Sequence, residues 1–171
     1  MCRWCAEPGG RATGAGLVER PAQSLVGRSW RGPHGEAAAG AVRTLLEGVQ
    51  AEAGGSDIFS GPLVSLSWSD GVEGFRTFVG VDAGEAGPTL ALTGERVDLP
   101  GMRLAADWHD AGDGDVLDHY EALIEWVRAT GNRWDKAVLH HREEYPRHAD
   151  FSAPPALRLM LPVVAGGATT G

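Results

Sequence analysis

The sequence predicts an α+β domain built as a tandem β-α-β-β repeat, and three observations carry that reading. Alternating apolar segments are twice followed by an amphipathic segment whose apolar residues recur at three- and four-residue steps. Leu63-Val-Ser-Leu-Ser-Trp-Ser69 and Phe75-Arg-Thr-Phe-Val-Gly-Val81 flank the glycine-bearing stretch 71–74, the pattern of a hairpin. Leu45-Leu-Glu47 returns as Leu123-Ile-Glu125 and Pro21 returns as Pro100, at offsets of 78 and 79 residues.

In chain order, residues 1–15 are small, glycine- and arginine-rich and without period, so a flexible leader is expected. Leu17 to Trp30 reads as a strand with Pro21 confined to an edge or bulge, and Gly32-Pro-His-Gly35 as a turn. Glu36 to Ala53 reads as a helix with Ala41, Leu45, Leu46 and Val49 on one face, closed by Gly54. In the strand from Leu63, the set Val64, Leu66 and Trp68 is more apolar than Leu63, Ser65 and Ser67, and burial is expected for the former. Residues 82–88 are a glycine-rich connector between halves of about 16–83 and 88–164.

The second half starts with a strand from Val97 to His109, then an acidic, glycine-broken turn at 110–115. A helix follows from Asp115 to Thr130, with Asp113 or Asp115 as its cap and Tyr120, Leu123, Ile124 and Val127 as its inward stripe. Gly131 ends it. Ala137 to Tyr145 and Ala156 to Val164 read as the closing strands, 146–155 as a loop, and 165–171 as a loose tail, so the domain proper is 16–164.

Length and composition fit one globular domain: 171 residues, 43% hydrophobic, with no apolar run long enough to span a bilayer. No signal-peptide core follows Met1, and a cytoplasmic location is the expectation. The net charge of −8 argues against a direct nucleic-acid surface, which needs clustered Lys and Arg. Cys2 and Cys5 form a lone C-x-x-C without a second pair, and the six histidines show no recognised ligand spacing, so no metal and no cofactor is expected. The Asp110, Asp113 and Asp115 cluster lacks the glutamate of a calcium loop and is assigned to helix capping. No motif fixes an oligomeric state.

Chemistry concentrates in His140-His-Arg-Glu-Glu-Tyr145. Alternation places His141, Glu143 and Tyr145 on one face and His140, Arg142 and Glu144 on the other. A slip of one residue would exchange Glu143 for Glu144, and both remain candidates. Six tryptophans in this length supply flat rings suited to planar or cationic ligands, although most such rings fill cores. Trp68 and Trp108 are the groove candidates, Trp126 falls beside the inward stripe as packing, and Tyr120 suits a groove wall and the core equally.

These stretches also carry a resemblance. Leu99-Pro-Gly-Met-Arg-Leu-Ala-Ala-Asp-Trp-His109, His119-Tyr-Glu-Ala-Leu-Ile-Glu-Trp-Val127, Arg142-Glu-Glu-Tyr145 and Leu157-Arg-Leu-Met-Leu-Pro-Val163 resemble, in order and spacing, the GyrI-like family. That family includes the effector-binding domains of AraC- and MerR-type regulators, and the similarity reaches back to about Leu17. The resemblance implies two β-α-β-β units paired about a pseudo-twofold axis in an antiparallel sheet, with helices on one side and a central ligand groove. It implies that Glu143 faces the groove and pairs with lipophilic, aromatic, cationic ligands, and Tyr145 and Tyr120 match the family's strand and helix tyrosines. Trp68, Trp108 and His141 are candidates from their strand positions only, and His141 has no family counterpart. No helix-turn-helix precedes Leu17, so a stand-alone small-molecule, multidrug-type binding protein is the leading expectation. The alternative is an enzyme: some stand-alone members of the resembled family hydrolyse cyclopropane-bearing DNA-alkylating natural products. Glu143 would then be the general base and Tyr145 its positioning partner.

Overall fold

A computed structural model of the chain describes residues 14–54, 60–69, 74–154 and 156–167. The expected leader up to residue 13, with Cys2, Cys5 and Trp4, lies outside the described residues. So do residues 71–73 of the hairpin turn and 168–171 of the tail.

The fold is α+β. Its strands are β1 (Gly16–Arg20), β2 (Gln23–Pro33), β3 (Leu63–Ser69), β4 (Gly74–Asp82), β5 (Glu95–Leu99), β6 (Met102–His109), β7 (Asn132–Trp134), β8 (His141–Tyr145) and β9 (Leu157–Ala165). Its helices are α1 (Val42–Ala53), α2 (Pro88–Thr93) and α3 (Val116–Ala129). Every pairing is antiparallel, in the order β1-β6-β9-β8-β3-β4-β2-β5, with β7 attached to β9. Exchanging β1 with β5, β2 with β6, β3 with β8 and β4 with β9 reverses this order and leaves it unchanged, which is the expected pseudo-twofold arrangement. The axis passes between β8 and β3, where Ser65 pairs with Glu143.

Two expected strands are each divided in two. Pro21 and Pro100 interrupt them, because proline brings no N–H to a ladder and fixes its own φ. β1 and β2 are separated by two residues yet lie near opposite ends of the strand order, and so do β5 and β6. The sheet must therefore curl until its ends approach. That curl lets Arg20 of β1 reach Glu144 of β8 across two intervening strands.

The first helix is shorter than its apolar stripe suggests. Regular α-helix begins at Val42, after a single turn at His34–Glu36 and a wide turn at Ala37–Ala41. Gly40, at φ 117°, breaks the run, a conformation open chiefly to glycine. The helix ends at Gly54, also left-handed (φ 60°). α3 matches its stripe: Tyr120, Leu123 and Val127 are buried, and Asp115 caps it by accepting from the Leu117 N–H at 2.7 Å. α2 and β7 are elements the sequence reading did not anticipate. Of the strand expected from Ala137, only His141–Tyr145 joins the sheet.

α1 packs over β2 and β4, and α3 over β6 and β9, all on one face. Val26, Val79, Val81, Ala105, Leu159 and Leu161 form the core beneath them. The opposite, inward-curled face buries Leu25, Val64, Leu66, Phe78, Leu99 and Leu139. Both faces of β3 are therefore covered: Leu63 and Ser65 are as buried as Val64 and Leu66. The expectation that alternation selects one buried face fails because this strand is central.

Candidate functional site

The central strands β8 and β3 run between the two helices, and their helix-side residues are unusually polar for so buried a strip. Register places Ser65, Ser67, Thr77, His141 and Glu143 together there. Ser65 and Thr77 are almost fully buried. Glu143 is half-buried, and its carboxylate is held by two phenols. Tyr120 of α3 donates to Oε1 at 2.9 Å and Tyr145 donates to Oε2 at 2.7 Å. Among the described residues no lysine or arginine pairs with Glu143.

The helix and the strand each place one phenol by simple periodicity. Tyr120 lies one helical turn before Leu123 on the buried stripe of α3, so its ring enters the core with its hydroxyl aimed at the sheet. Tyr145 lies two residues beyond Glu143 and so shares its face. Burial, then the neighbouring Glu143 charge, pushes both phenols well above the ordinary tyrosine range, so both keep their protons and donate. His141 sits edge-on to Tyr120 (centroids 4.8 Å apart) and tilted against Trp134 (5.1 Å). Burial foremost, then the charges of His140 and Lys136, lowers its pKa to about 4. Its imidazole is therefore neutral near pH 7 and supplies no counter-charge. Phe151 packs edge-on to Tyr145 at 5.5 Å. The loop that carries Phe151 is fixed by Gln50 of α1, which donates to the carbonyls of Arg147 and Ala149 at 2.9 and 3.0 Å.

Of the residues singled out from the sequence, Glu143, Tyr145, Tyr120 and His141 come together. Trp68 and Trp108 do not. Trp68 shares the Val64 and Leu66 face of β3, with its indole N–H bonded to the Val138 carbonyl at 2.8 Å. Trp108 pairs with Arg158, whereas Asp107 pairs with Leu159, which in turn pairs with Glu143. Both indoles are therefore on the far side of the sheet from Glu143, and their expected place in one groove with it is corrected. Trp134 and Phe151, which do adjoin this cluster, were missed. Trp134 belongs to a three-residue strand and Phe151 to a loop, so neither lies in a periodic segment. Trp126 packs against the core, as its place beside the stripe suggests.

The choice between the two glutamates is also decided. Glu144 is fully buried on the inward-curled face, where Arg20 binds both its oxygens at 2.9 and 2.8 Å and Arg142 donates to Oε1 at 2.9 Å. It is an internal counter-ion for arginines, and Glu143 alone faces the helices. Two surface clefts, of about 320 and 250 Å³, are not lined by Glu143, Tyr120 or Tyr145, and Trp134 lines the smaller one. No helix among the described residues is long and apolar enough to cross a membrane.

No family model matches the chain, and no curated protein matches it in sequence. Solved structures do match in fold. SAV2435 bound to tetraphenylphosphonium is similar over 88% of this chain and 93% of its own, with a TM-score of 0.59 at 12% identity. The EcmrR C-terminal domain is similar over 88% of this chain and 97% of its own, with a TM-score of 0.60 at 14% identity. A structure described as a hydrolase from Listeria innocua is similar over 88% and 92%, with a TM-score of 0.53 at 17% identity. At these identities the likeness establishes the architecture alone: the chain has the α+β fold shared by SAV2435 and the EcmrR C-terminal domain.

Proposed function

We propose that this chain binds small, lipophilic, aromatic cations, with Glu143 as the charge that selects them. One observation carries the reading: a half-buried carboxylate is ringed by neutral aromatic groups and has no cationic partner among the described residues. Holding such a charge away from water is costly, and an incoming cation relieves that cost while a neutral molecule does not. Tyr120, Tyr145, His141 and Trp134 add ring faces and edges for aromatic substituents, with cation–π attraction as a further term. The two phenol donors hold the carboxylate in one position yet leave lone pairs on both oxygens for a ligand. The SAV2435 fold neighbour was solved with tetraphenylphosphonium, a ligand of this chemical class.

Titration with tetraphenylphosphonium, followed by tryptophan quenching, tests this reading. Glu143→Gln should weaken binding about 10- to 100-fold, the effect of removing a charged partner worth roughly 1.5–3 kcal/mol. A neutral aromatic compound of similar size should bind both proteins alike. Unchanged tetraphenylphosphonium affinity in the variant would reject Glu143 as the selecting charge.

A hydrolase reading uses the same carboxylate, with Glu143 as general base on a water and Tyr145 positioning it. The Listeria innocua neighbour described as a hydrolase favours it. Mass spectrometry after incubation with a cyclopropane-bearing alkylating compound separates the two readings. An added water that disappears in Glu143→Gln marks the hydrolase; quenching without a mass change marks the binder.

A further inference from the structure

We propose that His109, His119 and Asp113 form a binding site for a divalent transition-metal ion of the zinc class, with Asp107 orienting His119. The three are spread over the end of β6, the short 3-10 turn Ala111–Asp113 and the second turn of α3. Their spacing matches no local ligand motif, but the fold brings one donor atom from each within 4.8 Å of the others. The two imidazole Nδ1 atoms are 2.9 Å apart. On a tetrahedral ion with metal–nitrogen bonds of 2.0–2.1 Å, two such atoms sit roughly 3.3 Å apart, so a few tenths of an ångström of opening admits the metal.

The surroundings fix which nitrogen each ring offers. His119 Nε2 lies 3.0 Å from Asp107 Oδ2, and the carboxylate holds the proton on that nitrogen. His119 Nδ1 is then a lone pair aimed at His109 and Asp113. In the metal-free protein His109 donates from Nδ1 to it. Binding moves that proton to His109 Nε2, and no proton is lost from the neutral pair. Asp107 is itself anchored by the Trp108 N–H at 2.8 Å. Asp113 accepts from the Asp110 N–H at 2.7 Å, which steadies the carboxylate and leaves lone pairs for a metal. His109 is buried, His119 is one-sixth exposed and Asp113 is exposed, so the site has a rigid floor and an open entrance. Two imidazoles and one carboxylate suit zinc, cobalt, nickel or copper; calcium and magnesium prefer all-oxygen shells. Three protein ligands leave a fourth position for water.

The test uses the full chain carrying Cys2→Ser and Cys5→Ser, so that thiolates cannot serve as ligands. Co(II) is titrated and its visible d–d absorption recorded, and Zn(II) is then added as competitor. The expected result is one saturable equivalent, displaced by Zn(II) and lost in His109→Gln and His119→Gln. Asp107→Asn should weaken binding about 10-fold or more, the usual effect of removing an orienting partner. Absence of a saturable equivalent, or one that survives both histidine changes, would overturn the site and leave the pair as a hydrogen bond only. If the histidine variants fail to fold, Asp113→Asn decides: this exposed residue should weaken Co(II) about 10-fold, and unchanged affinity rejects the proposal.

Discussion

The two halves of the molecule share a topology and differ in the residues on their central strands. Moving back 78 residues from Leu123 and Val127 lands on Leu45 and Val49, which occupy the same stripe of the first helix. The same step from Glu143 lands on Ser65, its partner across the pseudo-twofold axis. From Tyr120 and Tyr145 it lands on Val42 and Ser67, and from Arg142 and Glu144 on Val64 and Leu66. Packing positions are kept between the halves, while charged and phenolic groups appear only in the second. A repeat can keep its fold and alter its strip of polar residues because the ladder depends on backbone groups, whereas chemistry depends on side chains alone. One half supplies the carboxylate and its donors, and the other supplies the small serines Ser65 and Ser67 beside them on the same face.

The strongest way to break this comparison is to return Glu144 to its first-half counterpart. Glu144→Leu removes the carboxylate that Arg20 and Arg142 share on the inward-curled face, and breaking such a buried pair costs about 3–5 kcal/mol. Chemical denaturation should show that loss; a change below ~1 kcal/mol would mean that the arginines find water easily.

A second, smaller effect concerns His141, whose first-half counterpart is Leu63. The unfolded chain takes up the proton near the ordinary 6.5 and the folded chain only near about 4. The unfolded state therefore binds more protons within that window, and stability falls as pH drops through it. The group costs nothing above about pH 6.5, and the loss reaches roughly 2–3 kcal/mol by pH 4. In His141→Leu this part of the pH dependence should vanish, and an unchanged slope of stability against pH would show that the imidazole titrates alike in both states.

The smallest effects should be equal ones. Val49→Ala and Val127→Ala each remove a buried side chain from matched positions at 0% and 1% exposure. Each should cost about 1–2 kcal/mol. A disparity larger than that range would show that the two helices are not equivalent supports.

The local sequence made the helix of the second half legible, because the Tyr120–Leu123–Val127 stripe and Gly131 are short-range signals, but it left the cap between Asp113 and Asp115, and the structure chose Asp115. Proline made the strand breaks half-legible. Pro21 marked an interruption, but a single residue does not reveal that the chain resumes at the other end of a curled sheet. β7, Trp134 and Phe151 were not legible, since a three-residue strand and a loop carry no period.

By itself the sequence determined the α+β class, the duplicated order of elements and the shared face of His141, Glu143 and Tyr145. Each follows from alternation or helical spacing within a few residues. Tertiary structure alone decided which of the adjacent glutamates meets the helices, that Trp68 and Trp108 turn away from Glu143, and that His109, Asp113 and His119 converge. Those outcomes depend on how the sheet curls and on which strands become neighbours. Side-chain period says that two residues share a face, and only the assembled sheet says what that face is set against.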